Sequence, residues 1–232
     1  MKVRARFTKV GRVRWTSHRD VARMWERALR RARVPVAYTS GFTPRPQLSF
    51  GLALPTGCES IAEYLDIALD EPVDPAALAA SVGSLLPEGV DVVATGVVEP
   101  GTRSLQEDVS SCTWEIQVHE CNPVDLGVAI EVVLDAHSLP IQRERKGRDV
   151  VDDLRPSVLA LSCTGSDAHG TRLLAELGTR PRGVRPSELA QVMGVELGLA
   201  RRTCQWIERD GSRWEPLVTG LAGPAVTWER AS

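Results

Sequence analysis

The sequence predicts an α+β protein built from two tandem ferredoxin-like units, each with the order βαββαβ and an antiparallel sheet. Strand-like and helix-like hydrophobic patterns follow that order over residues 1–99 and again over residues 112–210. Between them, residues 100–111 are polar and include a Pro-Gly pair, which is typical of a linker. Residues 211–232 show no clear period and are predicted to form a tail.

The first predicted strand covers residues 3–7, where apolar side chains alternate with Arg4 and Arg6. A helix is predicted from Ser17 to about residue 32. Ser17 is a suitable N-cap, and Asp20 favours the positive end of the helix dipole.

The other elements follow from the same patterns. In the first unit, strands are predicted at 48–54, 63–69 and 90–98, with a helix at 74–86. In the second unit, strands are predicted at 113–119, 141–145, 150–162, 172–177 and 202–208, and helices at 122–136 and 187–193. The second unit therefore has one strand, or one bend within a strand, more than the ideal order.

Composition restricts the function. The chain has 232 residues, enough for two ordinary domains, and its five cysteines form no Cys-x-x-Cys pair. Its four histidines are scattered, so we expect no metal and no cofactor. No apolar run reaches the roughly 18 residues of a membrane span, and the N-terminus is basic. A soluble, cytoplasmic protein that does not associate with membranes is expected.

Charge is distributed unevenly along the chain. Residues 1–50 hold thirteen Lys and Arg against two acidic residues, which gives +11. The remaining residues hold 15 basic and 28 acidic side chains, which gives −13. A chain polarised in this way is expected to present a basic face to a polyanion or to an acidic partner protein.

Residues 38–46, Tyr-Thr-Ser-Gly-Phe-Thr-Pro-Arg-Pro, are predicted to form an exposed, basic and rigid loop. Gly41 permits positive φ, and Pro44 and Pro46 restrict the backbone around Arg45. The rings available for a ligand are Tyr38 and Phe42. The alternative is a packed connection whose two rings fill the edge of the domain.

The predicted first helix has an apolar stripe and an opposite side rich in arginine, with Arg19, Arg23 and Arg30 at its centre. Such a side is usually only solvated, but the shortage of nearby acids favours a polyanion surface. His18 in the first turn is a candidate acid or base, with a purely structural role as the alternative.

The second half contains two further groups of charged residues. Asp152 and Arg155 stand at the mouth of a predicted strand. Arg182 and Arg185 lie in a proline-containing loop that leads into a helix N-terminus, which is a possible phosphate site. Arg202 adds positive charge near the last predicted strand. Solvated arginines at a helix start are the alternative interpretation.

Several segments resemble the family of radical-SAM-linked proteins. They include Ser17-His-Arg-Asp20, the whole of residues 38–46 and Glu63-Tyr-Leu-Asp66. The resemblance covers roughly residues 1–210 and is most specific in the first 70. Arg19 stands where that family usually has leucine. Members are encoded beside, or fused to, a radical S-adenosylmethionine enzyme, so the resemblance implies such an enzyme as partner. The chain lacks the Cys-x-x-x-Cys-x-x-Cys motif of that enzyme itself.

Three functions from different classes are consistent with these observations. The first is an accessory protein that binds RNA (transfer or ribosomal RNA) or presents a substrate to the radical SAM partner. The second is a protein-interaction subunit without nucleic-acid binding. The third is a metal-independent RNA-processing enzyme that uses His18. Because no catalytic constellation is evident, a non-enzymatic role is favoured.

Overall fold

A computed structural model describes residues 1–145 and 147–217. In these residues the protein is a mixed α+β structure, and every pairing with an assigned register is antiparallel. The predicted α+β class is therefore confirmed. The chain forms two compact units. Unit 1 comprises residues 1–109 and, among the described residues, 207–217, whereas unit 2 comprises residues 110–206.

Unit 1 contains most of the residues that the sequence marks as functional. Its elements are β1 (Lys2–Lys9), a 3-10 helix (Gly11–Trp15), α1 (His18–Arg31), β2 (Leu48–Phe50), β3 (Glu59–Ala68), α2 (Pro75–Gly83), β4 (Val92–Val97) and α3 (Leu105–Asp108). The strand order is β4-β1-β3, and β2 pairs with the C-terminal part of β3. At the centre of this sheet, Ala5 of β1 lies between Leu65 and Thr95.

The core of unit 1 lies between α1 and one face of β1. Ser17 caps α1 by accepting a hydrogen bond from the backbone N–H of Asp20 at 3.2 Å, so the helix starts where the sequence predicts. The buried side of α1 includes Trp25, which packs edge-on against Phe7 of β1 with ring centroids 5.1 Å apart. Burial of this apolar stripe directs the charged side of α1 to solvent.

The other face of β1 is covered by the C-terminal residues 215–217. Arg4 donates to the Pro216 carbonyl at 2.9 Å, and Arg6 donates to Glu215 at 2.9 Å. A Cβ at Gly96 of β4 would lie 2.7 Å from Cδ1 of Leu217, which shows how closely this side chain packs on the backbone of β4. The described part of the predicted tail therefore packs on the sheet of unit 1.

Two segments outside unit 2 differ from what the sequence indicates. The alternation of Val13 and Trp15 with Arg14 is typical of an extended segment, but these residues belong to the 3-10 helix. Gly11 turns the chain there with φ of 69°, and the Thr16 N–H donates back to the Val13 carbonyl. The predicted linker, 100–111, contains α3 and the start of the next strand. The predicted domain bounds stay a prediction, and residues 218–232 of the predicted tail lie outside the described residues.

Unit 2 likewise contains both strands and helices. Its elements are β5 (Val109–His119), α4 (Pro123–Asp135), β6 (Pro140–Arg145), β7 (Arg148–Asp153), a 3-10 helix (Arg155–Ser157), β8 (Val158–Asp167), β9 (Gly170–Gly178), α5 (Pro186–Met193) and β10 (Glu196–Arg209). The last residues of β10 belong to unit 1 and pair with β11 (Ser212–Trp214). The strand order is β10-β5-β9-β8. The separate β6–β7 hairpin adds two strands to the ideal order, one more than predicted. The difference arises because the 3-10 helix at residues 155–157 divides the predicted strand 150–162 into β7 and β8.

None of the helices in the described residues has the length and apolarity needed to cross a membrane.

Candidate nucleic-acid interface

Four exposed arginines stand on the solvent side of α1, and we call them the arginine face: Arg19, Arg23, Arg27 and Arg30. At 100° per residue they fall within about 80° of one another around the helix axis. Within the part of the chain that the structure describes, the arginine face forms one ion pair, between Arg23 and Asp20 at 3.5 Å, and both side chains are about half exposed. An exposed ion pair of this kind contributes little to the stability of the fold.

The rest of the arginine face is not neutralised by the protein itself. Arg19, Arg27 and Arg30 form no ion pair with any of the residues 1–145 and 147–217. Like charges four residues apart on a helix repel each other by about 0.2–0.5 kcal/mol per pair. A bound anion would relieve this repulsion, so the arginine face is suited to phosphate groups.

Residues 38–46 form a narrow loop that backbone and side-chain hydrogen bonds hold together. Tyr38 bridges to Pro46, and the Thr39 N–H donates to the Arg45 carbonyl at 2.9 Å. The hydroxyl of Thr39 accepts from the Arg45 N–H at 3.0 Å. Gly41 takes φ of 132°, a backbone conformation that residues other than glycine rarely adopt. The sequence prediction of an ordered loop agrees with these contacts.

The two rings of this loop point into solvent. Phe42 is fully exposed and Tyr38 is 52% exposed. Arg45 and Pro44 are exposed as well. The alternative in which both rings fill the edge of the domain is therefore wrong. Exposed rings next to a free guanidinium are the groups on which unpaired nucleic-acid bases stack.

His18 and the 38–46 loop lie along the same edge strand of unit 1. His18, the first residue of α1, packs edge-on against Phe50 of β2 with ring centroids 5.1 Å apart. Phe50 pairs with Leu65, and the carbonyl of Gln47, at the base of the loop, accepts from Ala68. Gln47 and Phe50 are three residues apart along the extended chain, which corresponds to about 10 Å. The base of the loop therefore lies about 10 Å along the strand from the ring that His18 contacts.

A small cavity with a mainly apolar lining lies beside His18. Its volume is about 10 Å³, room for a single water molecule, and its lining includes Lys9, Glu63 and Tyr64. Lys9 is buried and its ammonium donates to the carbonyls of Arg14 and Thr16. Sequence reasoning did not single out Lys9. The alternation of β1 could have indicated the burial of Lys9, because Lys9 lies on the same side of the strand pattern as the buried residues 3, 5 and 7.

Trp15 is a further exposed ring that the sequence analysis did not select. It is 64% exposed at the end of the 3-10 helix, directly before α1. The guanidinium of Arg14 lies 5.2 Å from the centre of its ring, and a Cβ at Gly57 would come within 3.0 Å of it. Trp15 is thus braced on two sides while much of its ring faces solvent.

Arg4 is not available to a ligand. Its side chain forms a bidentate pair with Asp66, with Nε to Oδ1 at 2.7 Å and Nη2 to Oδ2 at 2.9 Å, and its remaining nitrogen donates to Pro216. Arg4 is only 4% exposed. Arg6 is similarly engaged, by the Ile61 carbonyl and Glu215. Both are therefore removed from the predicted RNA surface, because the C-terminal segment covers their face of the sheet.

The charged residues predicted for unit 2 are mostly structural. Asp152 accepts hydrogen bonds from Arg143 and Arg182, and these bonds hold the pKa of its carboxyl below the ordinary value. Arg182 also reaches Glu188 of α5 at 2.8 Å. Arg155 donates to two backbone carbonyls, those of residues 134 and 158. Asp152, Arg155 and Arg182 therefore tie together the segments of unit 2.

Two further predicted residues of unit 2 differ in accessibility. Arg202 is 2% exposed and its guanidinium lies 5.5 Å from the ring centre of Trp114, so it is removed from the predicted surface. Arg185 is exposed at the start of α5, where its backbone N–H donates to Glu188. Arg185 therefore keeps the predicted phosphate role as an untested expectation.

Among residues 1–145 and 147–217, no group of three or more His, Cys, Asp or Glu is placed to hold a metal ion.

The fold and the surface together define an α+β protein with an arginine-rich helix and an exposed aromatic loop. A family model described as "Uncharacterized protein conserved in bacteria (DUF2344)" matches residues 2–186. The chain therefore belongs to this bacterial family, and the match includes both the arginine face and the 38–46 loop. A comparison with curated proteins finds no match. The family description names no radical SAM enzyme, so that partner stays a prediction.

Proposed function

We propose that this protein is an RNA-binding accessory protein whose binding surface is the arginine face, extended by the rings of the 38–46 loop. The observation that carries the proposal is the arginine face itself, four exposed guanidinium groups with a single, weak ion pair on the described part of the chain. Phosphates would lie along α1, and unpaired bases would stack on Phe42, Tyr38 and Trp15.

Unpaired RNA, such as loops of transfer or ribosomal RNA, fits this surface better than a duplex. Exposed rings can stack only on bases that are not already stacked within a helix. Guanidinium groups that bind phosphates do not read base identity, so binding is expected to depend little on sequence. Affinity would come mainly from counterion release and would fall steeply with salt.

We propose further that each unit is ferredoxin-like. The strand orders β4-β1-β3-β2 and β10-β5-β9-β8 both place the third strand between the first and the second, which supports this interpretation. Many RNA-binding domains with a four-stranded sheet use the open sheet face. In unit 1, residues 215–217 lie over the sheet face that carries Arg4 and Arg6. The helix side is therefore the expected RNA surface.

The test is the salt dependence of RNA affinity in a triple variant, Arg19→Gln, Arg23→Gln and Arg30→Gln. Each phosphate contact to single-stranded RNA contributes about 0.7 to the slope of log affinity against log salt. Loss of three contacts is expected to reduce the slope by about 2 and to weaken binding at low salt. Fluorescence anisotropy with a labelled single-stranded oligonucleotide measures both quantities.

The matched control replaces three exposed arginines outside α1, namely Arg103, Arg148 and Arg172, by glutamine. The net charge changes by the same amount, so a general charge effect would alter both variants equally. The proposal expects the control to keep the wild-type slope. Equal slopes in the two variants, or no RNA affinity in the wild type, would refute it.

The second candidate is docking on a partner protein, favoured by the complete exposure of Phe42 at the tip of an ordered loop. A fully exposed phenylalanine carries apolar surface that a partner could bury. The resemblance to radical-SAM-linked proteins names a radical SAM enzyme as the partner to try first. The two candidates are compatible if the loop docks on the enzyme while α1 holds RNA.

Catalysis by His18 is less well supported than binding. The contact found for His18 in the described residues is the edge-on packing with Phe50, and the cavity beside it has room for one water molecule. An acid or base needs a reacting group within hydrogen-bond reach. The role of His18 as a catalyst stays a hypothesis, and binding is the favoured function.

A further inference from the structure

A groove runs between the second half of α1 and residues 85–87, which follow α2. Its apolar floor consists of Met24, Leu85, Leu86 and Pro87, and its rim carries Arg27 and Arg31. The volume is about 310 Å³, at the lower end of the range for small-molecule sites. This is far larger than the single-water cavity beside His18, and it lies wholly within unit 1.

The two arginines of the rim are neighbours on the helix surface. Arg27 and Arg31 are four residues apart, so their side chains leave α1 on the same side, one turn apart. Both are exposed, and neither forms an ion pair within residues 1–145 and 147–217. Two guanidinium groups at this spacing, next to an apolar floor, suit a ligand with an anionic group joined to an apolar, flat body.

We infer that this groove is a nucleotide subsite, which binds one phosphate between Arg27 and Arg31 and one base on the floor formed by Met24 and Leu86. The inference rests on the proposed RNA-binding function and specifies where one unpaired nucleotide sits. A nucleotide satisfies both requirements of the groove. The π-face of its base is apolar and suits the floor, and its phosphate is an anion that the two arginines can hold. The thioether of Met24 makes favourable contacts with aromatic rings.

The chemistry of the floor also predicts how the subsite selects its ligand. The side chains of Met24, Leu85, Leu86 and Pro87 offer no strong hydrogen-bond donor or acceptor to a base edge. Recognition would therefore rely on stacking and on the phosphate, and all four bases would bind with similar affinity. A nucleoside without phosphate would bind weakly, since it lacks the group that the two arginines hold.

The experiment observes the methyl group of Met24 by NMR in the full chain labelled at methionine methyl groups. The chain has three methionines, so the spectrum is simple, and a Met24→Leu variant assigns the signal. The probes are a single-stranded oligonucleotide, a mononucleotide and inorganic phosphate. Ring currents of a bound base are expected to shift the Met24 signal with the first two probes but not with phosphate. Met193, in α5, serves as the internal control.

A second variant, Arg27→Gln with Arg31→Gln, is expected to weaken the mononucleotide titration of the Met24 signal at least tenfold. Both side chains are exposed, so this variant is expected to fold. An unmoved Met24 signal while the oligonucleotide binds would overturn the subsite and leave the RNA-binding function intact. A signal that moves with the mononucleotide while RNA does not bind would support the subsite and overturn the RNA function. Equal shifts with phosphate alone would overturn the base-binding part of the inference.

Discussion

Arginines that look equivalent in the sequence have opposite roles in the structure. Arg4 is buried and holds Asp66 with two hydrogen bonds, whereas Arg19 is exposed and forms no ion pair with the described residues. The difference follows from the partner that each residue meets. Arg4 faces a carboxylate from the neighbouring strand, and residues 215–217 exclude water from the pair. Only Arg19 and similar exposed residues can contribute to a binding surface.

Replacement of Arg4 by alanine is expected to destabilise the protein by about 3–5 kcal/mol, because it leaves the Asp66 carboxylate buried without a partner. Urea unfolding of the full chain measures the change. A double variant, Arg4→Met with Asp66→Leu, removes both charges and is expected to recover most of the loss. Arg19→Ala is the exposed control, with a change within about 0.5 kcal/mol. Equal losses for Arg4→Ala and Arg19→Ala would contradict the assigned role of the Arg4 pair.

At the scale of elements, α1 and the 38–46 loop are complementary. Helix α1 presents positively charged side chains from a well-packed helix, because its apolar stripe packs on β1 and its N-terminus is capped by Ser17. The loop offers rings and is held by short-range hydrogen bonds and by proline. Neither element needs a large backbone rearrangement before it meets a ligand, so little backbone conformational entropy is lost on binding.

The loop provides a test that separates RNA binding from protein docking. Phe42→Ser is expected to leave folding unchanged, because the ring is fully exposed and contributes nothing to the core. If the loop docks on a radical SAM enzyme, the variant should lose at least tenfold in affinity for that enzyme in a nuclease-treated titration. Thr43→Ala in the same loop is the control. Unchanged enzyme affinity in Phe42→Ser would argue against docking through the loop.

At the scale of the whole molecule, three aspartates with a lowered pKa influence stability in acid. In each case hydrogen bonds to the carboxylate lower its pKa below the ordinary 3.8. Asp20 accepts from Ser17, and Asp152 accepts from Arg143 and Arg182. Asp153 accepts from the backbone N–H groups of residues 139 and 155. A carboxylate whose pKa is lower in the folded than in the unfolded state stabilises the fold above the unfolded value. That contribution is lost as pH falls through the folded value.

The protein is therefore expected to lose stability as pH falls below about 4, which urea midpoints at pH 7, 5, 4 and 3 would record. Asp152→Asn is expected to lower the midpoint at pH 7 and to flatten the decline between pH 5 and pH 3. The control is Asp70→Asn, which removes an exposed carboxylate outside these hydrogen bonds. A decline in Asp152→Asn as steep as that of the wild type would show that this carboxyl has no part in acid sensitivity.

The sequence predicts a feature correctly where the interactions that determine it join residues close together in the chain. Helix α1 was predicted within one residue, since its cap and apolar stripe are local. The 38–46 loop was predicted to be exposed and ordered for the same reason. The burial of Arg4 and Arg202 and the ion pair of Arg6 with Glu215 could not be predicted. Their partners come from segments distant in sequence, and a charged residue on a strand is normally exposed.

The sequence by itself determined the α+β class, the capped arginine-rich helix and the proline-braced aromatic loop. These features depend on hydrophobic period and backbone restriction, which act between near neighbours. Only the tertiary structure decided which arginines remain accessible, since residues 215–217 cover Arg4 and Arg6 while α1 keeps its outer side in solvent. The groove beside Arg27 and Arg31 likewise exists only because residues 85–87 pack against α1. Accessibility and shape arise from contacts between distant segments, and no local pattern encodes them.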